Sequence, residues 1–178
     1  GLLVAGDTPL GLRVMGPLSA ALGSVLLAHV GALWLRRPDG QPDWRAGTRV
    51  ALLLNATLAI GLGAIIMTPD TPLIFFVALL LWSLGGLCMG GASWLWLVAG
   101  LAAGLGFDSK YSMGLPVAGV GLWLVGSPAG RVWLRKPWPW LGAIVGCVCV
   151  LPVIWWNAQH AWGGLTRQGG RVLDWQPA

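Results

Sequence analysis

The stretch Leu73-Ile74-Phe75-Phe76-Val77-Ala78-Leu79-Leu80-Leu81-Trp82-Ser83-Leu84-Gly85-Gly86-Leu87-Cys88-Met89 decides the fold. It carries no charge, and at about 1.5 Å of rise per residue a helix of this length covers most of a hydrocarbon layer. Lipid demands a helix there, because every backbone N–H and C=O must find its partner within the segment. Just before it stands Thr68-Pro69-Asp70-Thr71-Pro72, a polar turn stiffened by two prolines. Further apolar runs occupy residues 14–35, 50–67, 94–107, 113–125 and 140–156, two of them short. The pattern predicts an all-α, polytopic transmembrane helical bundle of about six spans. Residues 1–13 are expected to be the end of a truncated outer-face loop, 14–157 the bundle, and 158–178 the start of a periplasmic loop.

Composition agrees. Of 178 residues, 56% are hydrophobic and only 10% charged, with a mean hydropathy of +0.74, against about 25% charged residues in soluble domains. The net charge of +5 does not indicate a nucleic-acid partner, because the basic residues are scattered between apolar runs and form no stripe. Cys88, Cys147 and Cys149 all lie inside apolar runs, where free thiols behave as small hydrophobes and no disulfide framework is expected. No HExxH, CxxC, nucleophile elbow or phosphate-binding glycine loop is present. The sequence specifies no cofactor and leaves divalent-metal dependence open.

Charge placement orients the bundle. If spans alternate, the loops after the first and fifth runs share one side, and they hold Arg36, Arg37, Arg45, Arg49, Arg131, Arg135 and Lys136 out of 11 Lys and Arg. The positive-inside rule makes that side cytoplasmic in an inner (plasma) membrane. Asp7, Arg13, the Asp70 turn, Asp108-Ser109-Lys110-Tyr111 and the segment from Asn157 onward then face the periplasm or exterior. Tryptophans Trp34, Trp44, Trp94, Trp96, Trp133, Trp138, Trp140, Trp155, Trp156 and Trp162 gather at run ends, as indoles at headgroup level do. Gly86 with Gly90, and Gly100 with Gly104, form small-residue faces for close helix packing.

The polar residues at outer run ends are the candidates for chemistry, because ionisable groups there are costly unless paired, hydrated or used. Asp70 offers a carboxylate near the surface, or simply caps a helix. Lys110 could hold a phosphate as a point charge, or be neutralised by Asp108. Trp155-Trp156-Asn157-Ala158-Gln159-His160-Ala161-Trp162 combines amide, imidazole and indole groups suited to sugars, and equally to an interfacial belt. Arg13 could contact a phosphate or snorkel to headgroups. His29 and Asn55, isolated within runs, are expected to make interhelical hydrogen bonds.

Four segments taken together are distinctive: Arg13-Val14-Met15-Gly16-Pro17-Leu18-Ser19-Ala20, Thr68-Pro69-Asp70-Thr71-Pro72-Leu73, Gly104-Leu105-Gly106-Phe107-Asp108-Ser109-Lys110-Tyr111 and Trp156-Asn157-Ala158-Gln159-His160-Ala161-Trp162. Their order and spacing resemble the bacterial branch of the dolichyl-phosphate-mannose protein mannosyltransferase family, glycosyltransferase family 39, related to the lipid A aminoarabinose transferases. The resemblance implies a GT-C membrane fold and transfer of a hexosyl or pentosyl unit from a polyprenyl-phosphate carrier to a protein or lipid acceptor on the periplasmic face. It implies Asp70 as a catalytic acid that positions or activates the acceptor, and Lys110 and Arg13 at the donor phosphate. Asn157 and His160 fall on the family's outer-loop motif and, with Gln159, are expected to bind substrate. The family's principal catalytic Asp belongs to an outer loop ahead of Gly1, so this stretch alone is expected to be inactive. Asp108 departs from the apolar residue usual at its position. The competing expectation is a transporter or lipid-flippase bundle, whose charged sites would sit near the midplane rather than at one edge.

Overall fold

The computed structural model describes residues 14–57 and 68–163, and all regular structure among them is helical. In chain order the helices are α1 (Met15–Trp34), α2 (Trp44–Asn55), α3 (Asp70–Cys88), α4 (Leu95–Ser109), a 3-10 turn (Tyr111–Met113), α5 (Gly114–Gly126), α6 (Pro128–Leu134) and α7 (Pro137–Gln159). Local chemistry sets the starts and stops. Asp43 caps α2, its Oδ1 accepting from the N–H groups of Arg45 at 3.0 Å and Ala46 at 3.2 Å. Ser127 caps α6 through Gly130 N–H at 2.8 Å, with Pro128 in the first turn. Gly90, at φ 79°, closes α3: Gly91 N–H reaches back to Gly86 O at 2.8 Å and Gly90 N–H to Leu87 O at 3.2 Å. That is a Schellman stop, and it turns the chain sharply into α4.

Three described helices, α1, α3 and α7, are long and apolar enough to cross a membrane. The segment Tyr111–Gly126 and α6 meet at a 96° bend and make a fourth at most. Among the described residues this is fewer than the about six spans expected. The run at 94–107 forms α4, whose 15 residues extend only about 22 Å, short of the roughly 30 Å of hydrocarbon. The run at 113–125 is likewise short, stopped by Ser127 in an extended conformation. Of the run at 50–67 only the part within α2 is described; residues 58–67 lie outside the described set. Hydropathy marks what lipid tolerates, and the backbone breaks at Lys110 and Ser127 decide where each helix stops.

Packing gives each helix a direction. Gly23 lies against Phe75, His29 against Trp82 and Trp34 against Gly85, so α1 and α3 run parallel. Ala32 and Asp43 at one end, with Ser24 and Asn55 at the other, show α1 and α2 antiparallel. Leu95 sits on Gly86 while Lys110 reaches Asp70, so α3 and α4 are antiparallel. Gly100 faces Gly142 and Gly104 faces Gly146, so α4 and α7 are parallel. At the last contact a Cβ on Gly104 would fall 2.6 Å from the Gly146 carbonyl oxygen, and only glycine permits that approach.

The core joins Leu80 and Leu87 of α3 to Leu95, Trp96, Ala99 and Ala102 of α4, with Met113 of the 3-10 turn. α4 is therefore the central helix, flanked by α3 and α7. α5 lies outside this layer with no buried residue, and an apolar cleft of about 330 Å³ lined by Trp34, Leu80, Leu84, Pro116 and Trp123 separates it from α1 and α3. Large apolar side chains face outward throughout, among them Leu115 at 78% and Leu122 at 75% exposed, as a surface wetted by lipid requires.

The isolated polar residues behave as expected. Trp82 Nε1–H donates to His29 Nδ1 at 2.9 Å, and His29 also stacks on Trp44 at 5.8 Å. Asn55 Nδ2 donates to Ser24 Oγ at 2.7 Å. The three cysteines are free thiols.

Candidate active site

The helix directions collect charges at two opposite ends of the bundle. At one end lie Arg36, which reaches Met89 Sδ at 3.4 Å, and Lys136, whose ammonium sits 4.2 Å from the Trp133 ring centre; Trp133 in turn packs edge-on against Trp96. At the other end lie the start of α3, the end of α4, the 3-10 turn and the end of α7.

At this second end Asp70 is the first residue of α3, and Lys110 follows the last residue of α4 in an extended conformation, φ −161° and ψ 132°. Because the two helices are antiparallel and joined by a tight glycine turn, these residues meet. Lys110 Nζ and Asp70 Oδ1 form an ion pair that also counts as a hydrogen bond. Both side chains remain reachable from solvent, 39% exposed for Lys110 and 44% for Asp70. Each helix terminus favours the charge it carries, an acid at the N-terminus of α3 and a cation at the C-terminus of α4. Asp108, the sequence's nearer candidate to neutralise Lys110, is exposed on the last turn of α4 and makes no ion pair among the described residues. The extended backbone at Lys110 turns that side chain toward α3 and the next one toward α7.

That next residue is Tyr111. Its hydroxyl oxygen lies 3.3 Å from Asn157 Nδ2, and its ring packs on Phe107 at 5.3 Å. Asn157 is only 3% exposed, so it is a buried anchor between α7 and the 3-10 turn rather than a surface group. Its amide orientation follows from its partners. Nδ2 also lies 2.9 Å from the Val153 carbonyl oxygen, which can only accept, so the nitrogen must be on that side. Asn157 Oδ1 is buried without a hydrogen-bond partner among the described residues.

Gln159 is the exposed last residue of α7. His160 follows, its ring stacked on Trp156 at 4.2 Å and 11°, its Nδ1 2.8 Å from the Trp156 carbonyl oxygen. A carbonyl only accepts, so Nδ1 carries the proton, and in the neutral ring Nε2 presents a lone pair. Ala161 and Trp162 then adopt left-handed conformations, φ 51° and 57°, with Trp162 N–H on Asn157 O at 2.9 Å. Non-glycine residues there cost roughly 1–2 kcal/mol each, so the chain leaves α7 under local strain.

The structure thus brings Asp70, Lys110 and Asn157 onto one connected rim and places Gln159 and His160 one turn further along. Arg13 lies outside the described residues, as do 1–12 and 164–178. Tyr111 is the residue that motif reading passed over. Its place directly after Lys110, at a helix break, was the available sign. Among the described residues no three His, Cys, Asp or Glu side chains converge on a common point, so no metal is assigned to them.

A bundle of long apolar helices bearing an acid–lysine pair and a tyrosine–amide pair on one rim belongs to the class of integral membrane proteins with polar groups gathered at one edge. Comparison makes this specific: residues 2–156 match the family described as dolichyl-phosphate-mannose-protein mannosyltransferase. The chain belongs to that family of membrane glycosyltransferases. It is also similar to the lipid A galacturonosyltransferase RgtD of Rhizobium johnstonii, 30% identical over 149 residues, which is 84% of this chain and 30% of the relative. The chain therefore spans about a third of the length of that curated relative. No solved structure matches it.

Proposed function

We propose that this chain is part of a glycosyltransferase that moves a sugar from a polyprenyl-phosphate carrier to a protein or lipid acceptor on the periplasmic face of the inner membrane, with the Asp70–Lys110 rim facing outward. The observation that carries the reading is the ion pair itself. A cation and an acid separated by 40 positions in the chain are held together, partly exposed, at what this reading makes a membrane edge. That is where a lipid-linked phosphate presents its headgroup. Lys110 supplies a point charge for the phosphate, joined in this proposal by Arg13. Gln159 and His160, on the same rim, are positioned to meet sugar hydroxyls through an amide and a ring nitrogen lone pair.

The chemistry follows from the two members of the pair. An acceptor hydroxyl oxygen attacks the anomeric carbon, the bond from that carbon to the phosphate oxygen breaks, and the polyprenyl phosphate leaves with the electron pair. Lys110 stabilises the charge that develops on the departing phosphate. In the resting pair the Asp70 carboxylate accepts from the Lys110 ammonium. When a donor phosphate takes up the ammonium, the Asp70 carboxylate is released to position the acceptor hydroxyl and take its proton.

The test is transfer from a radiolabelled polyprenyl-phosphate sugar by the full-length protein in membranes, with Asp70→Asn and Lys110→Ala variants. Loss of transfer in both supports the assignment, and undiminished transfer in both removes these residues from the site. A transporter or flippase bundle would instead move labelled lipid across vesicles without transferring sugar.

A further inference from the structure

Tyr111 has a hydrogen-bonding role that its neighbours leave incomplete. Its oxygen receives a hydrogen bond from Asn157 Nδ2, an arrangement fixed because that amide nitrogen is also committed to the Val153 carbonyl. The phenol therefore acts as an acceptor toward α7 and keeps its own proton to donate elsewhere. Its ring is braced by Phe107 one turn back on α4, and the residue is half-buried at the rim directly beside Lys110. An O–H donor on a half-buried residue next in sequence to the cation proposed to hold the phosphate is suited to an anionic or hydroxyl-rich headgroup.

Asn157 is buried as a purely structural residue would be, but its bonding differs from one. Its Oδ1 is buried with no partner among the described residues, and an unsatisfied buried acceptor destabilises a fold. The Val153 carbonyl it reaches lies within its own helix, four residues back. Packing would thus be served as well by an apolar side chain of the same shape. What only the amide supplies is the bond that orients the Tyr111 hydroxyl.

We infer that Tyr111 is a further substrate-contacting residue, donating its hydroxyl proton to an oxygen of the donor's sugar-phosphate headgroup, and that Asn157 is the positioning residue that aims it. This rests on the transferase reading above and deepens it: the headgroup is held between an ammonium aimed from the α3 side and a phenol aimed from the α7 side.

The experiment uses the full-length protein in membranes with a radiolabelled polyprenyl-phosphate sugar as donor, comparing wild type, Tyr111→Phe, Asn157→Leu and the double variant. Phe keeps the ring contact and removes only the hydroxyl. Tyr111→Phe is expected to lower transfer about 10- to 100-fold, the range for one hydrogen bond to a charged group, mainly as a higher KM for the donor. Asn157→Leu is expected to lower transfer by a similar factor without loss of thermal stability. The double variant should be no worse than Tyr111→Phe alone, because Asn157 acts through the hydroxyl. Wild-type transfer by Tyr111→Phe overturns the inference while leaving the transferase reading intact. Independent, multiplying losses in the double variant overturn the positioning role of Asn157, as does loss of thermal stability in Asn157→Leu. No transfer by the wild-type protein overturns the reading on which both rest.

Discussion

Exchanging the two members of the rim pair separates what the pair contributes to the fold from what it contributes to chemistry. In Lys110→Met the ion pair is lost, and with both side chains more than a third exposed that contact is worth about 0–1 kcal/mol. Lys110 also stands at the C-terminus of α4, where a cation contributes about 0.3–1 kcal/mol. The single variant should therefore lose about 1 kcal/mol of stability, which lowers the Tm of the full-length protein by no more than about 2–4 °C. In the exchanged variant, Asp70→Lys with Lys110→Asp, an ion pair can re-form, but each charge now opposes its helix terminus. Reversing two such terms costs about 1–4 kcal/mol, so the exchange should be no more stable than the single variant. Transfer should respond on another scale. If Lys110 holds the leaving phosphate, its removal should cost about 100-fold or more, equivalent to about 3 kcal/mol of barrier, and the exchange should not restore it. The assay is a thermal melt of the detergent-purified full-length protein beside a transfer assay on the same sample. Full transfer by the exchanged variant would show that the rim needs only an ion pair, and would refute the phosphate role of Lys110.

Other outcomes follow from the same geometry. Asp108→Asn should change transfer less than about 2-fold and leave the melt unmoved, because Lys110 is paired with Asp70 and a surface charge change is worth within about 0.5 kcal/mol; a large loss in the transfer assay would reinstate Asp108 as the partner. Gly104→Leu should destabilise the bundle by about 1–3 kcal/mol or more, since even a Cβ there falls 2.6 Å from the Gly146 carbonyl, read as a lower Tm with loss of the contact between α4 and α7. His29→Phe removes the acceptor of Trp82 Nε1 at 2.9 Å and should cost about 1 kcal/mol, with transfer by the folded fraction unchanged. Cysteine labelling from outside intact cells should reach single cysteines at residues 70 and 160 alike, and labelling of only one of them would break the shared rim.

Parts of this were legible in the sequence for definite physical reasons. Apolar runs, the arginine-bearing loops and the tryptophans at run ends follow from what lipid and its interface accept, residue by residue, with no knowledge of neighbours. The meeting of Asp70 and Lys110 was also implicit: one precedes the run at 73–89, the other follows the run at 94–107, and a glycine turn joins the two. Helices that reverse through so short a connection must bring those outer ends together. The notation of motifs hid this, because it treated the two residues as separate clusters and offered Asp108 as the nearer partner.

The choice of neighbours lay beyond the sequence. α1, α3, α4 and α7 are apolar on every side, so no amphipathic stripe shows which face meets which helix, and lipid is as good a solvent for leucine as another helix. Only the three-dimensional fit of Gly100 and Gly104 against Gly142 and Gly146 places α4 between α3 and α7 and sets it parallel to α7. That placement brings Tyr111 to Asn157 and buries a residue whose composition suggested an exposed sugar ligand. The sequence determined that the chain is a helical membrane protein with an acid, a lysine and an amide at one edge. The tertiary structure decided which of these touch, because contact between apolar helices is set by close approach of backbones and not by any pattern along one of them.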